Sequence, residues 1–128
     1  MKLQTFVVYL AACFFIFYGL AFSVTPNVMS ELVTGSGLDN ISALVDFRAT
    51  YGGMTVSVGF IILCLYKIGQ VRSILLAVVV VLLSMATTRS LGFFLDGTTN
   101  VLMYVYLLLE LLGGGLAWFA MQGLAKQK

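Results

Sequence analysis

"ILLAVVVVLLSMA", residues 74–86, is thirteen positions with no charge, proline or glycine. The run does not alternate, so it is not a strand of a closed β-barrel, whose lipid-facing and lumen-facing residues take turns. A continuous apolar run in this setting is a helix that satisfies its own backbone in lipid. Working outward, the span extends from about Ser73 to Leu95. Three more stretches of similar character lie at about 5–24, 41–66 and 101–124. Each approaches or exceeds the ~20 residues that cross a bilayer. The chain has 128 residues, 61% hydrophobic and 9% charged, against about 25% charged in a soluble domain. The expected fold is all-α, a four-transmembrane-helix bundle forming a single integral membrane domain over 1–128.

The breaks between spans are short. Lys2 and the small residues of "LAFS" give the first span some likeness to a signal peptide, but its apolar part exceeds the ~7–15 residues of a signal core, and it is read as retained. Thr25-Pro26 resembles an N-cap, Thr25, with proline at the first helical position. Val28, Met29, Leu32 and Val33 then fall on one side of a turn or two that Gly35 ends. This predicts a short interfacial helix between spans one and two. Asp39 or Asn40 can cap the second span. "DGTTN", with Gly97 after Asp96, is a tight turn before the fourth span.

Lys2, Lys67, Arg72, Lys126 and Lys128 fall on one side of this arrangement. The opposite loops carry Glu31, Asp39 and Asp96 and no Lys or Arg. By the positive-inside rule both termini are cytoplasmic.

The polar residues within spans are the candidates for function. Asp46 and Arg48 enter the second span, Arg89 lies about two turns from the outer end of the third, and Glu110 lies near the middle of the fourth. Asp96 marks the outer rim on the face of Arg89. Each charge costs at least a few kcal/mol in lipid unless paired or wet. Arg48, Tyr51, Gly52, Thr55 and Gly59 share one helical face by spacing. Met85, Arg89, Gly92 and Asp96 make a second such strip, and Tyr106, Glu110, Gly113, Gly114 and Ala117 a third. The three faces can meet around one polar centre. Alternatively, the arginines neutralise the carboxylates, the glycines permit close packing, and the network serves register alone.

Other chemistry is thinly represented. The sequence has no histidine, and Cys13 and Cys64 lie apart in apolar runs, read as buried small side chains. No metal ligand set or cofactor motif emerges. Ser84, Thr87 and Thr88 lack a base and can bond carbonyls of the preceding turn. The balance is against an enzyme, with a carboxylate–arginine or carboxylate–tyrosine acid/base site left open.

"DFRATYGG", the arginine followed by Gly92 in the third span, and Glu110 in the fourth together resemble the bacterial membrane family catalogued as domain of unknown function 4345. The likeness covers nearly the whole chain. Its most specific piece is acidic-x-Arg-Ala-x-Tyr-Gly-Gly, here Asp46, Arg48, Ala49, Tyr51, Gly52 and Gly53. The resemblance implies Glu more often than Asp at the acidic position, a four-helix membrane fold and a bacterial inner membrane location, and no established activity.

Three functions compete on these grounds. The first is a binding or transport protein holding a small polar or amphipathic molecule or a lipid headgroup, with Arg48 and Arg89 on an anionic group. The second is an accessory subunit docking a partner's helices or a second copy. The third is a membrane-embedded enzyme on a lipid-soluble substrate. The bilayer is the expected partner in all three, and nucleic acid in none.

Overall fold

The computed structural model describes residues 3–125. Lys2, Lys126 and Lys128, on which part of the orientation argument rests, lie outside the described residues. The elements are α1 (Leu3–Val24), α2 (Pro26–Thr34), α3 (Ile41–Phe47), a π-helical segment (Arg48–Met54), α4 (Thr55–Lys67), α5 (Val71–Leu95) and α6 (Val101–Ala125). Among the described residues every regular element is helical. α3, the π segment and α4 run on as one span, Ile41–Lys67, and with α1, α5 and α6 make four helices long and apolar enough to cross a membrane.

The chain divides into two compact units, one of Tyr9–Cys64 and the other of the residues up to Val8 with those from Leu65 onward.

In the Tyr9–Cys64 unit, α1 lies antiparallel to the second span at very close range. A Cβ on Gly59 would stand 2.9 Å from the Ala12 carbonyl oxygen, and one on Gly52 would stand 2.9 Å from the Ser23 nitrogen. Both are closer than real side chains approach, so the absence of side chains there is what lets the backbones meet. Rings fill the next layer. Phe22 is buried and stacks on Tyr51 at 5.3 Å between centroids, and Tyr51 stacks on Phe47 at 4.7 Å.

The joint between α1 and α2 differs in one respect from the expectation. Thr25 occupies the N-cap position before Pro26, but its side chain makes no cap. Its hydroxyl instead donates to the Ala21 carbonyl at 3.0 Å, on the helix it follows. Its main-chain N–H is bonded to the same carbonyl, so Thr25 remains attached to α1. Asn40 does cap α3, its Oδ1 accepting from the Ala43 N–H at 2.7 Å. Gly35 ends α2 with φ 81°, a left-handed conformation suited to glycine. α2 buries Pro26, Ser30 and Val33. Val28 and Leu32 are exposed, so the apolar stripe divides between core and surface. Both cysteines are exposed as well, contrary to their reading as buried residues: an apolar run in lipid has no need to turn every apolar side chain inward.

In the other unit, α5 and α6 are antiparallel. Gly113 and Gly114 of α6 lie against Leu82 and Leu83 of α5, and nearer the α5–α6 turn Phe93 tilts against Tyr104 at 4.7 Å. Ile74, Leu75, Val78 and Val79 are buried. At the far end, Gln4 donates to the Ala120 carbonyl at 3.4 Å, and Tyr66 to Thr5 Oγ1 at 3.5 Å.

Candidate functional site

Arg89 and Glu110 form the polar feature of α5 and α6. Arg89 Nη2 donates to Glu110 Oε1 at 2.6 Å, and Arg89 Nε lies 3.2 Å and 3.1 Å from Oε1 and Oε2. The guanidinium thus presents one edge to the carboxylate, a geometry that lysine cannot offer. Arg89 Nη1 donates to Met103 Sδ at 3.0 Å, and its Cζ stands 5.4 Å from the centroid of the Tyr106 ring. Met103, Tyr106 and Glu110 follow one another by three and four residues, so one face of α6 holds the arginine.

By residue count Arg89 lies about 9 Å from the end of α5 and Glu110 about 14 Å from the start of α6. Side-chain direction removes the mismatch. Helical side chains lean toward the N-terminus of their own helix. In an antiparallel pair Arg89 therefore leans away from the α5–α6 turn and Glu110 leans toward it. Glu110 is 6% exposed. A carboxylate buried to that degree needs its partner, since an unpaired buried charge is far costlier than a paired one.

Above this pair, at the α5–α6 turn, opens a cleft of about 330 Å³ lined by Arg89, Gly92, Phe93, Asp96, Gly97, Thr98, Thr99 and Met103. Asp96 ends α5, its N–H bonded to the Gly92 carbonyl at 2.8 Å, and Gly97 turns the chain with φ 92°. Asn100 starts α6, its Oδ1 accepting from the Met103 N–H at 3.1 Å. No hydrogen bond or ion pair ties the Asp96 carboxylate to another described residue. Met103, Phe93 and the two threonines escaped the sequence reading. Met103 had a signal, its seven-residue spacing from Glu110; the others are brought to the cleft by the turn.

The remaining candidates belong to the Tyr9–Cys64 unit. Arg48 does not pair with Asp46. Its Nη1 donates to the carbonyls of Ser23, at short range, and of Val24, at 3.2 Å. Pro26 interrupts the helical ladder just beyond, so these carbonyls lie at the end of α1, where acceptors lack helical partners. Arg48 supplies donors and a positive charge at the negative end of a helix dipole. This is what brings a charge into the apolar second span. Asp46 is exposed, and its own carbonyl accepts from Thr50 at 2.7 Å. Tyr51 belongs to the ring stack, Gly52 to the contact with α1, and Thr55 is half-buried at the start of α4. The shared face of Arg48, Tyr51, Gly52 and Gly59 is thus turned to α1. As expected, Thr87 and Thr88 bond carbonyls of the preceding turn, those of Leu83 and Ser84.

Four apolar spans with a polar cleft where two of them turn define a small multi-pass α-helical membrane protein. The chain belongs to the family described as domain of unknown function (DUF4345), whose profile matches residues 3–121. Comparison with curated proteins and with solved structures finds no significant similarity.

Proposed function

We propose that this protein binds a small polar or amphipathic molecule, or a lipid headgroup, in the cleft at the α5–α6 turn. The observation that carries this reading is a cleft of about 330 Å³ that has a guanidinium, a carboxylate and two threonines in its lining. That volume falls at the small end of ligand pockets, roughly 300–1,000 Å³. The Arg89–Glu110 pair forms the base of the site and holds α5 and α6 in register. In this reading Arg48 is a structural residue, and the single polar centre drawn from all the charged residues gives way to a site built on α5 and α6 alone. The Lys67 and Arg72 side of the chain is cytoplasmic, and the cleft faces the opposite side of the inner membrane. α2 rests at that outer surface with Val28 and Leu32 toward lipid.

The test is to fill the cleft. A Cβ on Gly92 would meet only Asp96 Oδ2, at 3.6 Å, an ordinary contact. Gly92→Leu therefore starts a side chain at ordinary contact distance, and the carbons beyond Cβ bring bulk to the cleft lining. Native mass spectrometry of the protein released from its own membranes should show a bound small molecule or lipid on the wild type that is missing from this variant, at unchanged thermal stability. Equal adducts on both would refute the reading. An active reporter fused to the C-terminus that works only outside the cytoplasm would refute the orientation.

A further inference from the structure

We infer that the occupant of the α5–α6 cleft is a cationic or zwitterionic amphiphile, its primary ammonium seated on Asp96; this rests on the binding reading above. Charge decides the class. Arg89 is the cation of the lining, and Glu110 already occupies one edge of it, with Nη2–Oε1 at 2.6 Å. The guanidinium is thus already engaged by a carboxylate from beneath the cleft. Asp96, exposed at the end of α5, is the carboxylate of the lining and has no hydrogen bond or ion pair to another described residue. The helix ends do not reverse this. The C-terminus of α5 and the N-terminus of α6 meet at the turn, each worth roughly half a unit charge and of opposite sign, and they offset. Asn100 also takes up the Met103 N–H, a donor that an anion would otherwise seek. An anionic group would meet Asp96 and an arginine already engaged by Glu110; an ammonium would gain a charge-assisted hydrogen bond.

A metal ion fits less well. Calcium takes 6–8 oxygens and magnesium near-ideal octahedral geometry, whereas no group of three acidic, histidine or cysteine residues comes together among the described residues. One carboxylate beside threonine hydroxyls suits a tetrahedral ammonium with three N–H donors.

The surroundings point to an amphiphile rather than a water-soluble amine. Leu91, Phe94 and Leu95 at the end of α5 and Val101 at the start of α6 are all exposed, Phe94 by 89% and Val101 by 78%. A headgroup in the cleft would leave its apolar tail along these side chains, in lipid. The ammonium could belong to a phosphatidylethanolamine-type lipid of the bilayer or to a free long-chain amine; both present the same group above an apolar chain.

The experiment uses the full-length protein in nanodiscs of mixed phosphatidylethanolamine and phosphatidylglycerol, with dodecylamine as a competing probe, read by native mass spectrometry after lipid release. The wild type should retain phosphatidylethanolamine over phosphatidylglycerol. Asp96→Asn, which keeps shape and removes the charge, should lower that retention by at least about tenfold, the loss expected for a charge-assisted bond. Displacement of the lipid by dodecylamine would show that the ammonium suffices; no displacement, with the Asp96→Asn loss intact, would assign the zwitterionic lipid. Preferential retention of phosphatidylglycerol, or Asp96→Asn behaving as wild type, would overturn the ammonium assignment while the Gly92→Leu effect left the binding site standing. Retention unaffected by Gly92→Leu would remove the site itself, and the inference with it.

Discussion

Arg48 and Arg89 are the same residue in apolar spans, yet the two units satisfy them by different means. Arg48 donates to main-chain carbonyls of Ser23 and Val24, and Arg89 to the carboxylate of Glu110. The first arrangement solves a backbone problem, because α1 ends where Pro26 stops the ladder and leaves acceptors without donors. The second solves a side-chain problem, because Glu110 is buried and would be costly alone. The units differ in packing accordingly. Around Gly52 and Gly59 the helices meet backbone to backbone, whereas α5 and α6 meet through leucines against glycines and through one ion pair. A charge within a span is therefore not by itself a binding site. The cleft, with an Asp96 that has no partner of its own, separates the two cases.

The contrast can be broken most directly at Arg89. Arg89→Leu leaves Glu110, 6% exposed, without its cation and should cost roughly 3–5 kcal/mol, read as a fall in thermal stability. Replacing Arg89 and Glu110 together with leucine should recover most of that loss. If the single variant is as stable as wild type, the pair is not the support described here.

Overpacking tests the other unit. Gly59→Val places a Cβ against the Ala12 carbonyl and a branched side chain against Ile16, and should cost about 1–3 kcal/mol or more. Gly115→Ala, where a Cβ meets nothing within 4 Å, should be neutral or stabilising by up to about 1 kcal/mol through helix propensity. Equal effects at the two positions would contradict the close approach of α1 to the second span.

Arg48→Met removes the donors to the end of α1. The bonds are exposed, so the loss should be about 1 kcal/mol, below the range for fully desolvated charged hydrogen bonds. Hydrogen exchange should quicken around residues 21–25 and leave α5 and α6 unchanged. A loss as large as that of Arg89→Leu would mean that the carbonyl contacts are not the whole of its role.

Asn40→Ala should give the smallest effect, about 1 kcal/mol or less, from the lost cap on α3. It should be visible as faster exchange at the Ala43 N–H, the group that Asn40 caps.

How much of this was readable beforehand follows from the range of each interaction. Four spans, the short helix after Pro26, the cap at Asn40 and the turns at Gly35 and Gly97 depend on composition and on neighbours a few residues away, and the sequence by itself determined them. It also singled out Arg48, Arg89, Asp96 and Glu110, since a charge in an apolar run is conspicuous wherever it leads. Partners were a different matter. Arg89 does meet Glu110, as neutralisation of the carboxylates by the arginines implies, but that Arg48 turns to carbonyls of α1 rather than to a carboxylate depends on which helices lie side by side and in which direction. Periodicity states which residues share a face but not what that face meets. The cleft was decided at the same level: Phe93, Thr98, Thr99 and Met103 become neighbours only because α5 and α6 run antiparallel through a tight turn, and no spacing along the chain encodes the space left between them.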